Sequence, residues 1–241
     1  MVKITMLALL MLAPLLALSS EQRFISLGQP PQLIELYTSE GCSSCPPADK
    51  RIAQLLNSPD LWTKFVPMTF HVDYWDYLGW RDSFAKPQFS LRQRQLKRSG
   101  QLKAVYTPGW VVDGQEWRGF FRGLPLPAAV GRVGGQLTAD RRGSTLFVSY
   151  EPAGVINEPL IAHLSILGFD YETAVEKGEN RGLRLPHQFV VLHSQMSEGQ
   201  VRWQFDLPAE AATNGGRKAL AVWVSQRNQG RPLQVLGGWL E

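Results

Sequence analysis

The chain has 241 residues, of which 44% are apolar and 19% charged. That balance excludes a disordered chain and leaves room for one or two globular domains. The formal charge of +4 is too small to argue for nucleic acid as a partner.

The first twenty residues read as an export signal. Lys3 supplies the positive start, and residues 4–18 form an apolar run broken only by Thr5 and Pro14. The run is shorter than the ~20 residues needed to span a bilayer, and Ala17-Leu18-Ser19 offers small residues for a cut after Ser19. The mature chain is expected to be secreted or periplasmic, without a membrane span, in an oxidising compartment where a disulfide persists. Residues 21–31 are polar, end in Pro30-Pro31, and read as a leader before the fold.

A short buried strand follows at residues 33–37, interrupted by Glu35, whose carboxylate is costly there unless paired or used. Next comes Gly41-Cys42-Ser43-Ser44-Cys45-Pro46-Pro47-Ala48-Asp49, which holds both cysteines of the chain. Ala48, Ile52, Leu55 and Leu56 then share one helical face, and Asn57-Ser58-Pro59 stops the helix. Residues 65–72 read as a second buried strand. The stretch His71 to Trp80 mixes four aromatics with acids: Asp73, Tyr74, Trp75, Asp76, Tyr77 and Trp80 all lie in it. Residues 81–98 are strongly basic, helical in their second half and closed by Gly100. Thr107-Pro108 precedes a strand that ends in an Asp113-Gly114 turn.

Glycine and proline become frequent up to Gly135, and a domain boundary is placed near 135–143. Beyond it, residues 144–150, 160–167, 189–194, 201–207, 219–225 and 232–240 read as short, evenly spaced strands. A strand entering a helix through Cys-x-x-Cys is the thioredoxin-like redox arrangement. The expected fold is therefore an α/β thioredoxin-like domain at 30–138, followed by a small, mainly antiparallel, sandwich-like β domain at 143–241.

As a staple, a bridge between residues 42 and 45 closes a loop worth only roughly 2 kcal/mol, against roughly 4.7 across a hundred residues. Redox exchange explains the spacing better, because an attacking thiol needs a second thiol close by to resolve the mixed disulfide. Cys42, on the N-terminal side, is the expected nucleophile, helped by a helix N-terminus. Cys45 resolves. A helix cap at Ser43 or Ser44 would seat both prolines in the first turn. Glu35 is the candidate proton carrier. Thr107 and Pro108, the latter a candidate cis proline, would hold a substrate backbone. Trp75 and Trp80 would shape a cleft beside the cysteines, with Asp73 fixing it. No organic cofactor is required, and the partner is a protein or small-molecule thiol or disulfide.

The residues from Glu35 to Asp49, His71 to Trp80, Tyr106-Thr107-Pro108 and Val111-Val112-Asp113-Gly114 resemble the blocks of the domain of unknown function 1223 family, secreted proteins similar to thioredoxin. The resemblance spans about residues 32–240 and implies a thioredoxin-like fold with a β-rich second part. It implies no established activity. The sequence departs from thioredoxins proper in having Gly41 before Cys42, no proline between the cysteines, and Glu35 one residue further from the pair than the usual aspartate. Two rivals stand beside a thiol–disulfide oxidoreductase. One is a non-enzymatic binding module. The other is copper or zinc handling by the cysteine pair with His71 and Asp73.

Overall fold

A computed structural model describes residues 21–209, 216–227 and 230–241; the export signal read at 1–20 lies outside them. The elements run β1 (Glu21–Leu27), β2 (Gln32–Thr38), α1 (Pro46–Ala53), β3 (Phe65–His71), α2 (Pro87–Arg98), β4 (Gly109–Val112) and β5 (Gln115–Glu116). They continue with β6 (Gln136–Arg142), β7 (Thr145–Glu151), β8 (Leu160–Gly168), β9 (Tyr171–Ala174), β10 (Arg184–His187), β11 (Val190–Gly199), β12 (Arg202–Asp206), β13 (Lys218–Gln226) and β14 (Pro232–Leu240).

The expected α/β thioredoxin-like domain is overturned. The protein is mostly β, with two α-helices among the described residues. One eight-stranded sheet, in the order β14-β13-β8-β11-β3-β2-β4-β5, takes strands from both halves of the chain. The seam is narrow: β11 runs parallel to β3 at Val190 and Thr69, and the Thr69 amide donates to the Phe189 carbonyl at 2.8 Å. A parallel sheet in an α/β protein needs helices over both faces. Here two short helices cover only part of the large sheet, and a second sheet covers much of the rest.

That second sheet has the order β1-β6-β7-β12 and is antiparallel throughout. The polar stretch at 21–31, read as a leader, supplies its edge strand β1. Residues 136–142, within the stretch read as a boundary, form β6. Phe24, Leu137, Val148 and Phe205 of this sheet bury against Leu164, Ile166, Leu220 and Val222 of the large one. The period-two alternation of β7 and β12 puts one side of each strand in that core.

The large sheet curls until its ends approach each other. At Gly114 φ is +75°, and a side chain there would run into the Gly230 carbonyl, 2.0 Å from an added Cβ. Only glycine fits both the left-handed backbone and the close approach. The helices lie on opposite faces of β2. Thr38 points to α1, where its hydroxyl donates to Asp49. Glu35, an odd-numbered neighbour, points to Arg92 on α2.

Candidate active site around the cysteine turn

Cys42 and Cys45 are joined as a disulfide, with Cα atoms 5.4 Å apart. Cys45, not a serine, is the N-cap of α1; its backbone is helical and Pro46 and Pro47 occupy the first turn. Neither proline brings an amide proton. The first available amides, those of Ala48 and Asp49, reach back to the Cys45 carbonyl at 2.8 and 3.1 Å. This helix start therefore has few free donors to offer a thiolate.

Both cysteines are buried, at 1% and 0% exposure, while Ser43 and Ser44 between them are exposed. The cover comes from the other half of the chain. β9 and β10 form a separate two-stranded hairpin, and its connecting loop lies over the turn. Asn180, buried within that loop, donates through Nδ2 to the carbonyls of Glu40 at 2.8 Å and Cys42 at 3.0 Å. Glu179 accepts the Ser43 amide at 3.0 Å. Residues 179 and 180 gave no local signal in the sequence, because their partners lie some 140 positions away.

The aromatic loop joins the site through two indoles. Trp75 Nε1 donates to Thr107 Oγ1 at 2.7 Å, and its Cβ lies 3.0 Å from where a Gly41 side chain would begin. Trp75 thus ties the cysteine turn to the Thr107-Pro108 segment, whose peptide bond is cis. Trp80 Nε1 donates to Glu40 Oε2 at 2.8 Å. Asp73 goes elsewhere: it accepts the Ser90 hydroxyl of α2, and its own amide donates to Ser90 Oγ at 3.2 Å. It anchors the loop to α2 rather than facing the cysteines.

Glu35 sits on the face of β2 away from α1. It accepts from Arg92 Nε and Nη2 at 3.0 and 2.8 Å, and from the Tyr37 hydroxyl at 2.8 Å. Burial and the Glu35 charge raise the Tyr37 pKa well above its usual range. A cleft of about 490 Å³ on this side, lined in part by Arg92, His163, Met196 and Trp223, includes neither cysteine.

The carboxylate on the cysteine helix itself is Asp49. Its Oδ2 accepts from Thr38 at 3.1 Å; its Oδ1 is buried without a hydrogen-bond partner. Burial pushes its pKa up to about 6, against the opposing pull of His71, Thr38 and His187. Around it, His71 Nδ1 meets Asp82 at 2.7 Å, and Asp82 also accepts the Glu40 amide. His187 Nε2 lies 3.2 Å from Glu40 Oε1, close enough to pair electrostatically but not aligned as a hydrogen bond. The two imidazole rings stand 5.2 Å apart. Burial opposes the charge on His71, but Asp82, Asp49 and Glu40 outweigh it and raise its pKa. Among the described residues, no group of three or more His, Cys, Asp or Glu is arranged to hold a metal ion. The sequence places Asp49 four positions after Cys45 but gives it no role; its surroundings come from distant parts of the chain.

A curled β fold with a clamped Cys-x-x-Cys turn defines the class. The chain belongs to the family described as "Protein of unknown function (DUF1223)", whose profile matches residues 33–225. No curated protein matches the chain. A crystal structure of an Agrobacterium tumefaciens protein is similar, with a TM-score of 0.57 and 24% identity, covering 87% of this chain and 93% of that one. HBP35 of Porphyromonas gingivalis is similar with a TM-score of 0.51 and 14% identity, covering 88% of this chain and 76% of that one. At such identities the likeness extends to the fold alone. No helix among the described residues is long and apolar enough to cross a membrane.

Proposed function

We propose that this protein is an exported thiol–disulfide oxidoreductase in which Cys42 exchanges with a partner and Cys45 resolves. The observation that carries the reading is the 42–45 disulfide itself, placed at a helix start with the exposed Ser43-Ser44 link on its outer side. A four-residue loop is a poor staple but the right spacing for a nucleophile and its resolving partner. Trp75, Thr107 and Pro108 form the wall against which a substrate backbone lies. The partner is a protein or small-molecule disulfide or dithiol. Exchange requires the Asn180 loop to lift from the turn.

The test is thiol exchange with a model disulfide. Cys42→Ser abolishes it, and Cys45→Ser accumulates a mixed disulfide on Cys42. A double serine variant as active as the wild type overturns the reading.

The burial of both cysteines favours a second reading, a binding module with an inert bridge. The reduction potential separates the two: structural bridges lie below about −300 mV, and catalytic couples span roughly −270 to −120 mV.

A further inference from the structure

Exchange at a buried cysteine pair needs a route for one proton. While the pair is reduced, Cys45 carries a proton that must leave before its sulfur can attack the mixed disulfide on Cys42. A sulfur at the inner end of the turn cannot rely on bulk water for this, so a base is needed within the protein.

The expected carrier, Glu35, is on the wrong face of β2 and is held by Arg92. Asp49 meets the geometric requirement. Cys45 has helical φ and ψ, and the Asp49 amide is bonded to its carbonyl, so the two residues stand one helical turn apart. Side chains at that spacing lie on one face, with Cβ atoms about 5–6 Å apart. One carboxylate oxygen is fixed by Thr38. The other is buried with no partner, which is costly unless the oxygen is put to use.

We propose that Asp49 takes the proton from Cys45 as it attacks, and returns it when the bridge is opened. The assignment rests on the oxidoreductase reading. In the step, Cys45 S–H loses its proton to Asp49, its sulfur bonds to Cys42 Sγ, and the bond from Cys42 to the partner's sulfur breaks. The partner leaves as a thiolate and is protonated from water. The protein's dithiol is oxidised and the partner's disulfide is reduced to two thiols. Opening by a partner dithiol runs the same step backwards.

The charged and titratable groups facing Asp49 are His71 on β3, His187 on β10 and Asp82 before α2, with Glu40 acting on His71. Burial, opposed by His71, Thr38 and His187 and helped by Asp82, raises the Asp49 pKa to about 6, where a carboxyl can both accept and release a proton near neutrality.

The experiment mixes the reduced full-length protein with dithiobis(nitrobenzoate), whose released thiolate is coloured. The first thiolate reports attack by Cys42, and the second reports resolution by Cys45. Asp49→Asn keeps an acceptor for Thr38 but no base. Its first phase is expected to be unchanged and its second to slow about 100-fold. In the wild type the second phase carries an inflection near pH 6, and Thr38→Val moves it upward by removing a hydrogen bond to the carboxylate. A purely structural Asp49 moves no inflection.

An Asp49→Asn second phase equal to wild type overturns the proposal. So does a wild-type second phase with no inflection below the thiol's own titration, a test that needs no variant to fold. Absence of the first phase in reduced wild type overturns the oxidoreductase reading, and the role of Asp49 with it.

Discussion

The clamp over the disulfide gives the most direct test of how the site opens. Asn180→Ala removes two buried hydrogen bonds, those to the Glu40 and Cys42 carbonyls. At about 1 kcal/mol net for each, the closed position of the loop loses about 2 kcal/mol. With a tenfold change for every 1.4 kcal/mol, the open form becomes about 30-fold more populated. Reduction of a covered bond follows the open population when opening is fast relative to the chemistry. Reduction of the 42–45 disulfide by excess dithiothreitol, quenched by alkylation and read by mass, should therefore speed up about 30-fold. The accelerated rate should also persist with a bulkier reductant. A rate within twofold of wild type would show that the sulfurs are reached without moving the loop, and the clamp would have no part in access.

The bidentate pair on the other face predicts a stability effect without a redox one. Arg92→Ala leaves Glu35 buried without its counter-charge, bonded only to the Tyr37 hydroxyl, which costs about 3–5 kcal/mol, while Glu35→Gln leaves the second phase of thiol exchange and its pH profile unchanged. Urea unfolding and the exchange assay check the two halves; a loss below about 1 kcal/mol refutes the first. Stability should also fall from mildly acid to mildly alkaline pH. Asp49 holds its proton more tightly folded than unfolded, so its contribution is complete below 3.8 and lost as pH rises through about 6, roughly 3 kcal/mol in all. His71, whose pKa is raised by Asp82, Asp49 and Glu40 in spite of burial, stabilises fully below 6.5 and loses this as pH climbs through its higher folded value. Asp82 acts oppositely. Burial works against its charge, but His71 holds its pKa below 3.8, so it stabilises above that value and loses this only in stronger acid. A urea midpoint that rises between about pH 5 and pH 8 would refute this assignment.

Local pattern reached the elements but not their assembly. The strands at β2, β3, β7, β8, β12, β13 and β14 follow from apolar runs and alternation, and α1 from Ala48 and Ile52 on one face. β1 was missed because Glu21, Gln22 and Arg23 look like solvent-loving leader. An edge strand needs only one buried side chain in the right place, and Phe24 supplies it. The cysteine turn, Trp75 and Thr107 were legible as separate motifs, and the Trp75–Thr107 hydrogen bond joins them. Glu35 was a reasonable candidate from its position alone. Which face of β2 it occupies relative to the cysteine helix depends on where α1 and α2 pack.

What the chain itself determined is the chemistry available at the turn: two thiols three residues apart, two prolines that strip the helix start of amides, and an aspartate one turn on. Those follow from covalent structure and helix geometry, which depend on neighbours in sequence. The tertiary structure decided that the two halves share one sheet, that Asn180 is bonded to the backbone of the cysteine turn, and that Asp49 rather than Glu35 lies on the cysteine side of β2. Each of these turns on contacts between residues about 60 to 140 positions apart, and pairings at that range are set by the closing of the whole core rather than by any window of the sequence.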